Sequence, residues 1–574
     1  MRCSNRFLGV ALVALVMIGL WGCHADPDDP AGQAKELSDP LRRSNAIANI
    51  HRLYTSALSR AKGNRSAAEP KAIADATIQA LTDCYVQNRL LDVSNAGQIM
   101  NLLFEMRDAR SLPALLAGLD WKAEVSEEHA VTAAKTLREV PLDEAQKGQV
   151  IEALGKALSR VTGKRGVDNR MRIEIIKTLG ALRDRRATPI LVEAMLKESE
   201  NQHFLINRLA AEQLGLIADP ASVDALIKAL YFFDPNNPQM RMNDVAPQAL
   251  VRIGRPALEP LLRTLEGKNE DANRIASNYI EAIRKRDPQA AAQLRPEAIV
   301  ASEASYALGQ LGFREAIDAL IRETNQLDPG EKPDSIEEDP SDEMRMISAA
   351  AALASIHRAP EDTKRIREAL IQVFNRVKVP TRPQVLVIMQ HLIDPELIPF
   401  FVQKAQRPGR GQEEDPFIRV HAFQAAILLA NGDEAVPLKR LFEAEPQGDT
   451  RDGMLELSDL FAPIQECNAD LACWIKKLSD SEPVVVRKAC HMIARYGVNN
   501  EEAIKALIEK LGHPKAEVRT EVLYALDFVA TKGSDEAVKR IEELKRTEEG
   551  RAIWNQVSRL ALAVQARLVA RKSS

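Results

Sequence analysis

Residues 176–192 (IKTLGALRDRRATPILV) and 211–227 (AEQLGLIADPASVDALI) are two copies of one pattern, and their anchor leucines, Leu179 and Leu214, lie 35 residues apart. A chain repeating at this period builds each copy as one supersecondary unit and buries its apolar face by stacking on the next copy. The same frame runs from Leu103 to Leu116, Leu250 to Leu262, Leu308 to Ile321, Met389 to Phe401, Leu428 to Leu441, Met492 to Ile508 and Leu526 to Ile541. Leu137 and Leu353 mark two looser copies.

Each copy reads as helix, turn, helix. Ala and Leu at spacings of three and four give the first segment a helical apolar stripe, and a Leu/Ile face marks the second. The turn chemistry recurs as well. Asp108, Asp184 and Asp394 precede Pro113, Pro189 and Pro399 by five residues, and Asp433 precedes Pro437 by four. Proline is tolerated in a first helical turn, where its missing N–H would be unpaired anyway. An aspartate ahead of it caps free N–H groups and complements the helix dipole. Small residues (Ala210, Ala211, Gly215, Ala304, Gly309, Ala425, Ala426) let neighbouring helices approach closely. Composition agrees: 28% charged and 4% aromatic residues favour helices over sheets, and no segment alternates like a strand.

The predicted fold is all-α, an α-α superhelix of about ten to eleven helical hairpins filling residues 94–546. Pro40–Lys62 and Glu69–Asn88 read as an N-terminal cap over residues 41–93. Arg551–Arg571 reads as the closing helix of residues 547–574, since terminal units must cover an exposed apolar face. The spacing stretches at Lys268–Pro296 and at Asp328–Asp342, the latter an acidic, proline-containing segment expected as a solvated loop. Arg407–Asp415 and Pro446–Gly453 look like shorter loops.

The repeat pattern resembles HEAT repeats, particularly the bacterial variety grouped with phycobilisome-lyase repeats. That resemblance implies a curved array whose second helices line the concave face, where Glu193, Lys197, Lys228, Arg263, Lys439, Lys505 and Glu509 would meet a protein partner. It transfers no activity. Arg172, Arg208, Arg345, Arg419, Arg487 and Arg519 recur where first helices begin, and each is expected to pair with a turn aspartate of the adjoining repeat.

The N-terminus carries a second kind of signal. Arg2 and Arg6 flank an apolar stretch, Phe7 to Leu20, that falls short of the ~20 residues a spanning helix needs and suits a signal-peptide core. Leu20, Trp21, Gly22 and Cys23 follow, and the pattern resembles a bacterial lipoprotein signal. The resemblance implies removal of residues 1–22 and lipidation of Cys23, whose two or three acyl chains give a stable membrane anchor. Trp21 departs from the pattern, which usually has a smaller residue there. His24 stands where an aspartate would imply retention in the inner membrane, so an outer-membrane protein facing the periplasm is expected. Residues 23–40, polar and rich in Asp and Pro, read as a flexible tether.

Loss of Cys3 with the signal and lipidation of Cys23 leave four cysteines, and an exported protein sits where disulfides persist. Cys467 and Cys473 flank Asp470, the expected N-cap of the next helix, and a bond between them would staple that corner by about 2 kcal/mol. Cys490 is expected buried and free, though near enough to compete, and Cys84 unpaired. The histidines are scattered singly, with His51, His129, His203, His357, His391, His421 and His491 in or beside helices. No paired CxxC, HExxH, His-Glu dipeptide, phosphate-cradling glycine loop or GxSxG elbow occurs. The reading therefore assigns no catalytic residue, no metal ligand and no cofactor. Losing Arg2 and Arg6 takes the net charge from −4 to −6, which with export argues against nucleic acid as a partner. The expected function is a membrane-tethered, non-enzymatic protein-binding scaffold of the bacterial envelope, with its binding residues unassigned. A HEAT-like lyase or modifying enzyme with a site in the groove, or a purely structural envelope component, are the rivals.

Overall fold

A computed structural model describes residues 25–121, 127–197, 202–325, 340–356, 359–408, 415–548 and 556–573. Cys3, Cys23, the expected signal 1–22, His357 and residues 328–339 of the acidic loop lie outside the described residues. The chain divides into two compact units, unit 1 up to Gln213 and unit 2 from Leu214.

Unit 1 begins with α1 (Pro30–Glu36), where a flexible tether is expected. The correction has a local cause. Asp29 caps Ala31 and Gly32 N–H with proline at the first helical position, a strong start signal. Gln33 and Leu37 are then buried, and Gln33 donates to the carbonyls of Ala25 and Asp26. Next come α2 (Arg43–Arg60), α3 (Ala68–Asn88), α4 (Val93–Met106), α5 (Leu112–Leu119), α6 (Glu127–Leu137), α7 (Glu144–Arg160), α8 (Gly166–Ala181) and α9 (Thr188–Leu196). α10 (Phe204–Ile217) runs across the division between the units.

Unit 2 continues with α11 (Val223–Tyr231), a short antiparallel hairpin β1 (Phe233–Asp234) and β2 (Asn237–Arg241), α12 (Val245–Ile253) and α13 (Leu258–Leu265). The hairpin is a small departure from an all-helical reading. The long spacing that follows is filled by α14 (Glu270–Arg284) and α15 (Pro288–Ala292). Then come α16 (Pro296–Leu311), α17 (Ile317–Thr324), α18 (Pro340–Ser355), α19 (Pro360–Arg376), α20 (Arg382–Gln390), α21 (Ile398–Ala405), α22 (Pro416–Leu429) and α23 (Val436–Ala444). α24 (Asp449–Ser458), α25 (Phe461–Cys467) and α26 (Leu471–Lys477) lead to α27 (Pro483–Tyr496), α28 (Glu501–Lys510), α29 (Ala516–Val529), α30 (Asp535–Glu548) and α31 (Gln556–Ser573). Among the described residues, no helix is long and apolar enough to cross a membrane.

The turns are built as the sequence implies. Asp108, Asp184, Asp219 and Asp394 each accept from the backbone N–H two residues on, at 2.9, 2.9, 3.2 and 3.1 Å, and so start the single 3-10 turn before the second helix. The residue just before each, Arg107, Arg183, Ala218 and Ile393, is left-handed, with φ of 52°, 49°, 54° and 52°. At the α22–α23 turn Asp433 yields the role to Asn431 and Glu434, each bonding the other's backbone N–H. Small residues do bring first helices together: a Cβ on Gly309 of α16 would lie 2.7 Å from Ala352 Cα of α18.

In unit 2 the first helices form the interior. Beyond its first two residues, α22 has no exposed position, and α27 has none at all. The second helices α13, α17, α23 and α28 keep one exposed, charged face. First helices thus fill the middle of unit 2. The last helix closes it: α31 packs on α29 and also on α12 and α16. Arg567 ties the closure by donating to the Gln310 carbonyl at 2.9 Å while pairing with Asp527 at 2.7 Å.

The recurring arginines also differ from expectation. Arg172 donates to the carbonyls of Val161 and Gly163, at the end of the preceding second helix, at 2.6 and 2.7 Å. Arg419 donates to the Ala405 carbonyl and forms a buried fork with Glu445, while Arg345 pairs with Glu323 and Arg519 with Glu548. Antiparallel stacking sets the C-terminal carbonyls of second helices beside the start of first helices, and a cation there meets the negative dipole end. The turn aspartates are occupied in capping.

Candidate functional site

Three places in unit 2 gather polar groups: one on the surface, one inside and one at a helix corner. On the surface, α11, α13 and the start of α14 enclose a depression of about 430 Å³. Lys228, Arg263 and Lys268 line it with Asp224, Glu270 and Asp271. Lys228 pairs with Asp271 at 2.5 Å and Arg274 with the same carboxylate at 2.7 Å. The hydrogen bond from Lys228, then that from Arg274, hold the Asp271 carboxyl down at about 2. The depression is thus a mixed-charge surface. Of the second-helix residues predicted to face a partner, it unites Lys228 and Arg263. Lys439, Lys505 and Glu509 are exposed on other second helices of unit 2, and Glu193 is exposed in unit 1, where Lys197 is half-buried.

The interior site joins His391, just after α20, to His491 of α27 and to Glu521 and Tyr524 of α29. Glu521 Oε2 lies 3.1 Å from His491 Nε2 and 3.4 Å from His391 Nε2. Arg487 reaches the other carboxylate oxygen at 3.5 Å. Gln390 Nε2 sits 3.4 Å from His491 Nε2, and the Tyr524 ring stacks on His391 with centroids 4.2 Å apart. Burial pushes the His491 imidazole below the usual histidine range despite the carboxylate beside it. Burial opposes ionisation of Glu521, yet the two imidazoles hold its carboxyl well below the usual carboxylate range. The sequence reading, which assigns no metal ligand, treats these histidines as isolated; the fold brings them together across 100 residues.

A third polar corner lies where α25, α26 and α27 meet. Cys467 and Cys473 are joined, with Cα atoms 5.3 Å apart, and Asp470 between them caps α26 through Ala472 and Cys473 N–H. Trp474, fully buried, donates from Nε1 to the Asn468 carbonyl at 2.8 Å and lies under the Lys488 ammonium, 5.5 Å from the ring centre. Lys488 is itself fully buried and donates to the carbonyls of Leu428 and Ala430 at 3.0 and 2.5 Å. Cys84 and Cys490 are free and buried; burial pushes both thiols up, away from the reactive thiolate.

Comparison with known proteins bears on the architecture. No curated protein matches the chain. Among solved structures, the karyopherin Kap121p bound to the SUMO protease Ulp1p is 12% identical, over 99% of this chain and 76% of that one, with a TM-score of 0.39. Kap95p, in its complex with RanGDP, is 12% identical, over 100% of this chain and 82% of that one, with a TM-score of 0.36. The S. pombe condensin Cnd3-Cnd2 subcomplex is 13% identical, over 95% and 87%, with a TM-score of 0.23. Residues 171–197 and 207–231 match the family model for the PBS lyase HEAT-like repeat, and residues 471–557 match that for HEAT repeats. Over those three stretches the helical hairpins of this chain are similar to HEAT-type repeats.

Proposed function

We propose that the chain is a lipid-anchored, non-enzymatic protein-binding scaffold of the bacterial cell envelope. The observation that carries the binding part is the mixed-charge depression on the outward second helices of unit 2, where Lys228, Arg263 and Asp271 share one polar hollow. Such a surface suits a charged, extended segment of a partner protein, whose own charges would exchange with the Lys228–Asp271 pair. The buried, unreactive state of Cys84 and Cys490 supports a role without nucleophilic catalysis. The anchoring part rests on the Leu20–Cys23 motif, and His24 supports an outer-membrane location facing the periplasm.

Charge reversal tests the surface. Lys228→Glu with Arg263→Glu is expected to abolish capture of the partner recovered by crosslinking in intact cells, with folding unchanged by circular dichroism. Retention of the same partner by the double variant would show that this depression is not the docking face. Cys23→Ser is expected to release the protein from membranes or leave its precursor uncleaved; normal cleavage with unchanged membrane retention would defeat the anchor.

A further inference from the structure

We infer that His391, His491 and Glu521 form a binding site for a divalent transition metal of the zinc class. The three side chains each offer one ligand atom, and these atoms lie within 4.8 Å of one another. Two imidazoles and a carboxylate are a donor set that zinc accepts with a fourth position left open. Two ligands bound at about 2.0–2.1 Å in a tetrahedron stand roughly 3.3–3.4 Å apart. The two nitrogen–oxygen edges here measure 3.1 and 3.4 Å. Zinc can therefore be taken up along these edges with small side-chain shifts.

The hydrogen-bond inventory points the same way. His391 Nδ1 lies 2.9 Å from the Val387 carbonyl, which can only accept, so the ring proton belongs on Nδ1. The Nε2 lone pair then faces Glu521 Oε2, which offers lone pairs of its own. That nitrogen is buried and has no hydrogen-bond partner. In a neutral ring these two acceptors, 3.4 Å apart, repel unless a proton or a metal cation sits between them. The carbonyl behind His391 also does what outer partners of metal ligands do, fixing the tautomer and aiming the other nitrogen. Arg487 braces the carboxylate from its other oxygen, whereas Gln390 approaches His491 at Nε2 itself and has to give way to the ion.

Access and rigidity complete the case. His491 is 2% exposed and Glu521 7%, whereas His391 keeps 15% of its side chain exposed, so the His391 side is the shortest approach for an ion. The ligands come from three separate stretches, α20, α27 and α29, so a bound ion would staple non-adjacent repeats of unit 2. The second cluster of possible ligands, Glu466 with Cys467 and Cys473, does not compete, because its two sulfurs are bonded to each other.

The test uses the full chain, stripped with a chelator and titrated with Zn2+ alone under non-reducing conditions by calorimetry. One equivalent per chain is expected, with affinity lowered at least a hundredfold in His391→Ala and in His491→Ala and at least tenfold in Glu521→Gln. Co2+ in place of zinc is expected to give the intense visible absorption of a four-coordinate ion. His129→Ala is the control and is expected to bind as the parent does. His391 lies at the edge of the cluster, so His391→Gln serves should His491→Ala fail to fold. Absence of stoichiometric zinc binding, or binding unchanged by His391→Ala and His391→Gln, would overturn the assignment and leave a proton-bridged network in its place.

Discussion

In unit 1, His129 of α6 is buried against the Tyr85 hydroxyl, 3.3 Å from Nδ1, and burial keeps the ring below the usual histidine range. In unit 2, His491 meets a second imidazole and a carboxylate that a guanidinium also holds. The first arrangement is complete once one neutral hydrogen bond forms between α3 and α6. The second exists only when helices more than 100 residues apart in sequence are packed together. A buried histidine is thus a local packing choice in one unit and a readout of long-range closure in the other.

The comparison breaks most visibly at the buried charges inside unit 2. Arg519 and Glu548 are 4% and 1% exposed, so Arg519→Ala breaks a buried ion pair and is expected to cost about 3–5 kcal/mol. Denaturant unfolding followed by hydrogen exchange should show that loss in unit 2 with unit 1 unchanged. Equal loss in both units would mean that they do not unfold separately. Lys488→Met removes two hydrogen bonds to buried carbonyls and is expected to cost about 2–3 kcal/mol. Burial, with Arg495 adding to it and Glu434 opposing, holds the Lys488 ammonium well below the usual lysine range. Above its folded-state value the unfolded chain therefore binds the extra proton, and stability rises with pH up to the unfolded value of about 10.4. The parent should gain on Lys488→Met as pH is raised through that window; a constant difference would mean that Lys488 stays charged.

Smaller effects sharpen the contrast. Cys467→Ser is expected to cost about 2 kcal/mol and to make the unfolding midpoint indifferent to reductant, since the loop it opens is short. Tyr85→Phe leaves His129 Nδ1 without its partner and is expected to cost about 1 kcal/mol, confined to unit 1. A loss that spreads into unit 2 would show that the unit 1 pair is not a local matter.

The sequence announces the parts of this fold that are set within one repeat. Asp184, Pro189 and Leu179 suffice to place a helix, a capped turn and a second helix, because each acts on backbone groups a few residues away. Gly309 and Ala352 announce close packing in the same way. Within residues 23–40 the polar composition points to a tether, whereas the Asp29–Pro30 start signal points locally to a helix, and the local signal prevails. The His391–His491–Glu521 cluster left no trace in the repeat frame. Its members stand two after Met389, one before Met492 and five before Leu526, so no single position of the repeat is chemically marked. Their meeting depends on curvature, the sum of small rotations between successive hairpins, which local patterns do not encode.

The left-handed residues ahead of the turn aspartates carry a consequence of their own. Arg107, Arg183, Ala218 and Ile393 each hold a side chain where the β-carbon crowds the next carbonyl, at roughly 1–2 kcal/mol apiece. Glycine relieves that crowding and gives back part of the gain through a freer unfolded chain. Ala218→Gly is the simplest swap, since it removes a single methyl group. These joints are thus a distributed thermal reserve to be drawn on one turn at a time, Ala218 first and Arg107 last, because a swap at Arg107 also gives up its pairing with Glu139 at 2.9 Å.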